Sequence, residues 1–194
     1  SSFKAKYWGP MSIRSPASRS ITAGMGAMFD YSLLLVFPAA MAFAAAMDML
    51  TMTIPNRISL LLVGGFLLAT PLAGLSLGAF GMHLAAAVLV LSVGFGLFAA
   101  GLLGGGDVKL LAAASLWLGF THLFSYIFMV AMIGGVLALV FVLLRSYFPE
   151  GSFKAPRWML RLQAEETGIP YGIAIAAAAM WLYPRTDLFH GLAY

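Results

Sequence analysis

Between Arg57 and Asp107 the chain carries no Asp, Glu, Lys or Arg, and between Lys109 and Arg145 it again carries none. Runs of that length decide the class of fold. About 20 apolar residues wound as a helix cross the roughly 30 Å hydrocarbon core of a bilayer with every backbone N–H and C=O bonded internally. A water-soluble domain needs about 25% charged residues to build its surface, and this chain has 9%, with 62% hydrophobic. An apolar soluble core would still show polar outer faces on its helices, and these runs do not. The expectation is an all-α, polytopic membrane protein, a single bundle rather than two domains.

Six transmembrane helices are expected, near residues 29–47, 58–77, 80–103, 107–118, 123–144 and 169–183. The fourth is short and is read as tilted or dipping into thinned bilayer. Residues 1–28 read as an N-terminal tail without helical periodicity, partly foreign to the native chain, with Met11 and Met28 as alternative starts; residues 29–194 form the membrane domain. A cleavable signal peptide ending near AAAM is an alternative. Residues 145–168 are the one hydrophilic loop, a candidate amphipathic segment against lipid or a partner protein.

Charge orients the bundle. If that loop is cytoplasmic, Arg57, Lys109, Arg145, Lys154, Arg157 and Arg161 share its side, and beyond the tail only Arg185 opposes them. This is the positive-inside pattern, provided Lys4, Lys6, Arg14 and Arg19 of the tail do not count. The net charge of +4 is thereby assigned to membrane lipid and topology, not to nucleic acid. The absence of cysteine excludes disulfides, a thiol nucleophile and CxxC zinc sites.

Among the acids, Asp30, Glu150, Glu165, Glu166 and Asp187 fall in the loop or at span ends. Asp48 and Asp107 differ, because each directly follows an apolar run, FPAAMAFAAAM and FAAGLLGGG. Two crossings separate them, so parity returns both to the same membrane edge. Charges at that depth normally face a bundle interior or a wet cavity. Two carboxyls brought within a few ångströms tend to share one proton, which suits general acid–base attack of water on a peptide, without metal or cofactor. Asp107 at a helix N-terminus is expected as base and Asp48 near a C-terminus as acid, though the pair titrates as a unit.

Gly104, Gly105 and Gly106 are expected to admit a close approach and to leave the third span with unusual dihedrals. Lys109 does not share a helix face with Asp107 at i+2 and is read as a snorkelling anchor. GGGDVK lacks the spacing of a phosphate loop. Pro55 stops the first helix, and Asn56 is expected to cap the second through the N–H of Ile58 or Ser59.

Asp48 with Ile54-Pro55-Asn56, then Gly104-Gly105-Gly106-Asp107 with Lys109, and Pro170-Tyr171-Gly172 at the last span, resemble the type IV prepilin peptidases, the bacterial GxGD aspartic membrane proteases. The resemblance implies a six-helix bundle in the inner membrane with Asp48 and Asp107 catalytic. The implied substrate is a prepilin or pseudopilin, cut at the cytoplasmic face between a short basic leader and an apolar stem. Larger relatives carry a cysteine zinc insertion after the first span and N-methylate the product. Its absence here resembles the compact branch serving Flp or tight-adherence pili, a peptidase alone. Met-Leu-Thr-Met-Thr stands where many relatives have charged residues, and archaeal preflagellin peptidases share the motifs.

The remaining features have structural readings. His83, His122 and His190 lack ligand spacing and are assigned to packing or interfaces. Gly64-Gly65 and Gly134-Gly135 are assigned to helix packing, and Trp117, Trp181, Tyr147 and Tyr183 to an interfacial aromatic belt. The competing classes are a proton-coupled transporter relaying protons through Asp48 and Asp107, and a scaffold whose acids bind partner helices. A transporter would show internal repeats and a midplane site, and neither is evident.

Overall fold

The helices end where the chain supplies residues that cannot continue them. The computed structural model describes residues 16–147 and 169–193, where the regular structure is helical: α1 Pro16–Thr51, α2 Asn56–Leu72, α3 Leu77–Ala99, α4 Gly105–Tyr147, α5 Tyr171–Leu182, a 3-10 turn Tyr183–Arg185, and α6 Asp187–Ala193. α1 stops at Met52, which turns left-handed (φ 53°) while its N–H still reaches the Asp48 carbonyl at 2.8 Å. Pro55 then has no N–H to offer a continuing helix. Ser76 caps α3 by accepting from the Ala79 N–H at 3.2 Å. At the other end of α3, Gly101 takes φ 73° so that the Leu102 N–H closes on the Leu97 carbonyl at 2.9 Å.

α1 starts within the stretch read from sequence as a non-helical tail. Pro16 suits a first helical position, and no proline follows until Pro38 to stop propagation from the apolar run. Residues 1–15 and the loop at 148–168 lie outside the described residues.

α4 is not one rod. At Gly119 the backbone takes φ 74° and ψ 174°, far from helical values. His83 near the start of α3 lies against Gly119, and Gly94 near its end lies against Val108, so the arm 105–118 runs antiparallel to α3. Gly134 meets Tyr171, whose neighbour Gly172 bonds Asp48. A straight helix would carry Gly134 about 40 Å from Asp107, so the arm 120–147 folds back. The sequence divides this region into spans at 107–118 and 123–144, and the break falls at the glycine between them.

Register follows from the same contacts. Lys109 sits opposite Asn56 and Trp117 opposite Leu62, so α2 runs parallel to the first arm of α4. One end of the bundle therefore gathers Asp48, Asn56, Asp107, Lys109 and Gly172. The other end is an aromatic core: Phe37 lies 5.2 Å from Trp117 and 4.5 Å from Tyr183, centroid to centroid. This corrects the aromatic belt. Trp117 and Tyr183 are both buried. The Leu62 carbonyl accepts the Trp117 indole N–H at 2.8 Å and removes its need for an interface, while Tyr183 is held by ring contacts to Phe37, Trp117 and Phe189, its hydroxyl unpaired among the described residues. Trp181 and Tyr147 are exposed, as an interfacial position requires.

Ser32–Thr51, Leu77–Ala99 and Gly105–Leu144 are long and apolar enough to cross a membrane, while Asn56–Leu72 is shorter. Outward faces carry exposed Leu68, Leu72, Leu77, Phe95, Phe124 and Val142, a surface suited to lipid rather than water.

Candidate active site

Asp48 lies in the last turn of α1 and is only 6% exposed. A buried carboxyl needs a partner, and it has one from far along the chain: the backbone N–H of Gly172 donates to Asp48 Oδ2 at 2.7 Å. That N–H belongs to the first turn of α5, where no intrahelical carbonyl is available to it. A Cβ at position 172 would stand 2.8 Å from Asp48 Oδ2 and 2.9 Å from its Cβ. Only glycine allows α5 to press this closely on α1.

Asp107 occupies the first turn of α4 and is half-buried. It lies within Coulombic range of Asp48. The two acids are separated by α2, α3 and their connections, and the antiparallel packing of α3 on α4 brings them to one end.

The three glycines before Asp107 each clear a different contact. A Cβ on Gly104 would meet Asp107 Oδ2 at 2.9 Å, one on Gly105 would meet the Phe98 ring at 3.2 Å, and one on Gly106 would meet the Ile54 Cβ at 3.2 Å. The expected close approach is therefore present, made by neighbouring side chains. The expected unusual dihedrals are not: the positive φ lies at Gly101, because the Schellman-type closure of α3 needs it there.

Asn56 does not cap α2. Pro55 holds the N-cap position with extended dihedrals (φ −62°, ψ 135°), and no side-chain capping bond forms. One residue too late to reach back, the Asn56 side chain instead accepts from Lys109 Nζ at 2.9 Å through Oδ1. Lys109 thus has a protein partner as well as its exposed position. The bond was not foreseen, although both residues follow turns at the same end.

The closing motif divides its work. Pro170 is fully buried, Gly172 binds Asp48, and Tyr171 seats α5 on the second arm of α4, where a Cβ on Gly134 would strike its ring at 2.8 Å. Of the glycine pairs assigned to packing, Gly65 and Gly134 have close neighbours, while Gly64 and Gly135 have none within 4 Å. His83 is buried against the Leu116 carbonyl, 2.7 Å from Nδ1, near the far end. Among the described residues, no three of His, Asp and Glu gather as a metal site would require.

The fold is thus a lipid-suited helical bundle that gathers two carboxyls at one end, one of them held by a helix N-terminus. The family profile described as the type IV leader peptidase family matches residues 35–139, more than half of the chain. The chain belongs to that family and is thereby a peptidase of the leader-removing type. The match includes Asp48, Asn56 and Gly104–Asp107, and it ends before Pro170. No curated protein and no solved structure matches the chain significantly.

Proposed function

We propose that the chain is an aspartic endopeptidase that removes the basic leader of a prepilin or pseudopilin, with Asp48 and Asp107 as its acid–base pair. One carboxylate takes a proton from water as the water attacks the scissile carbonyl, and the other acid donates to that carbonyl oxygen. The attacked peptide then collapses with proton transfer to the leaving amine, and the pair is restored. The observation that carries this reading is the placement of two acids, distant in sequence, within electrostatic range of each other at one end of an apolar bundle.

The topology we favour has six crossings: α1, α2, α3, the two arms of α4, and α5. Arg57 and Lys109 lie at the end that holds the acids, which supports placing that end at the cytoplasmic face of the inner membrane. The short α1–α2 connection and the absence of cysteine support the compact branch serving Flp or tight-adherence pili, without N-methyltransferase activity.

The test is coexpression with a pilin precursor, with Asp48→Asn and Asp107→Asn examined separately. Each is expected to abolish leader removal at normal membrane levels. Full cleavage by either variant would defeat the acid–base assignment.

A further inference from the structure

We infer that the slot between α2 and α3 receives the apolar stem of the substrate, holding it along the first arm of α4 while the scissile bond lies over the acids. This rests on the peptidase reading above.

α2 and α3 both pack on residues 105–118. They touch at the far end, where the Phe66 ring lies 5.9 Å from Phe80 and 5.4 Å from His83, and nearer the acids they leave between them a cavity of about 500 Å³ above that arm. Its walls are leucine and valine side chains, among them Leu60, Val63, Leu84 and Val88, which remain exposed. Its floor includes Ala112 and Ala113, both buried. Short side chains there let a second backbone come close, as small residues do where helices meet in membranes. From Lys109 to Leu116 the floor rises about 10 Å, so it accommodates about two turns of an incoming helix.

The slot is not uniformly apolar. Asn56 and Lys109, joined by their 2.9 Å bond, lie on its lining at the end near the acids. Ile54, two residues before Asn56, packs on Gly106, and Lys109 follows Asp107 by two residues. A chain leaving the slot at this end therefore arrives at the glycine loop without crossing the bundle.

The polar end argues for a peptide rather than a lipid tail. A peptide bond under attack must leave its helix, and its freed N–H and C=O then need partners at a depth where water is scarce. The Asn56 carboxamide and the Lys109 ammonium supply both an acceptor and donors. An acyl chain has no use for either.

The chain has no cysteine, which makes crosslinking clean. Val63→Cys, Val88→Cys and Ala113→Cys line the slot, and Val142→Cys on the second arm of α4 serves as the outside position. Each is paired in membranes with a prepilin carrying single cysteines through the first two turns of its stem. Cleavage of the cysteine-free precursor by each variant is scored in parallel. We expect disulfides from the slot positions at helical spacing along the stem, and none from position 142. In a separate arm, Ala113→Leu fills the floor and is expected to raise KM about tenfold with kcat within about threefold, as loss of uniform binding does.

Slot positions that never crosslink in variants cleaving at the wild-type rate would overturn the slot while leaving the peptidase reading intact. Crosslinks between two enzyme copies, or an unchanged KM in Ala113→Leu, would overturn it too and point to a dimer or to lipid. Absence of cleavage by the unmodified protein would sink the peptidase reading and the slot with it.

Discussion

Gly172→Ala adds one methyl group at the tightest point of the site. The new Cβ would lie 2.8 Å from Asp48 Oδ2, 2.9 Å from its Cβ and 3.0 Å from its Cγ. Carbon contacts settle at about 3.5–4.0 Å, so about 0.6–1 Å must be found. Rotating the carboxyl cannot supply it, because the Asp48 Cβ is itself in the way. α5 must withdraw from α1, and the 2.7 Å bond from the Gly172 N–H stretches or breaks. A hydrogen bond contributes about 0.5–1.5 kcal/mol to a neutral acceptor and about 1.5–3 kcal/mol to an ionised one, and a misplacement of about 1 Å beside reacting groups costs about 10²-fold in rate. The expected outcome is a fall in kcat of about two orders of magnitude with KM little changed, since no wall of the slot between α2 and α3 moves. The assay is time-resolved leader removal from a purified precursor in liposomes, with membrane levels and gel-filtration profile checked for each variant. Gly135→Ala is the control: it adds the same methyl where nothing lies within 4 Å, and activity within about twofold is expected. A Gly172→Ala protein that cleaves as fast as the control would refute the claim that this contact positions Asp48.

Two further predictions use backbone conformation in opposite directions. Met52 pays the left-handed penalty at φ 53°, so Met52→Gly is expected to stabilise the protein by about 1 kcal/mol, read as a raised unfolding midpoint in detergent; a lowered midpoint would contradict it. Gly119→Ala meets both a φ of 74° and the His83 ring, 2.9 Å from the new Cβ. It is expected to destabilise by about 1–3 kcal/mol, and an unchanged midpoint would mean that the reversal of α4 does not depend on that glycine.

The apolar runs and their punctuation were legible in the sequence because they depend on local chemistry. Pro55 stands in the break between α1 and α2, as expected, and the break expected between 107–118 and 123–144 falls at Gly119, whose φ of 74° few residues but glycine adopt readily. Counting crossings also placed Asp48 and Asp107 at one end. Rotation about the helix axes was not legible. Trp117 was read as interfacial because a tryptophan near a span end usually is. Only the register of α2, which brings the Leu62 carbonyl to its indole N–H, makes burial acceptable. Asn56 was read as a cap from its residue type, but Pro55 held that position, and its actual partner is 53 residues away on another helix. Pairings of this kind are set by packing, and a single sequence does not encode them in any local pattern.

The second arm of α4 shows how far the site depends on such packing. It contributes no acid, yet Gly134 provides the flat bearing on which Tyr171 rests. Tyr171 begins α5, so its seat fixes where the first free N–H groups of that helix point. Gly172, next in line, then directs its N–H at Asp48 Oδ2. A backbone donor loses no side-chain entropy when it is fixed, and a glycine adds no bulk between helix and carboxyl. Holding a buried acid this way requires that α5 meet the end of α1 through Gly172 and the second arm through Gly134. The same bearing couples Asp48 to α4, which carries Asp107 at its other end, so both acids are positioned by one helix that doubles back at Gly119.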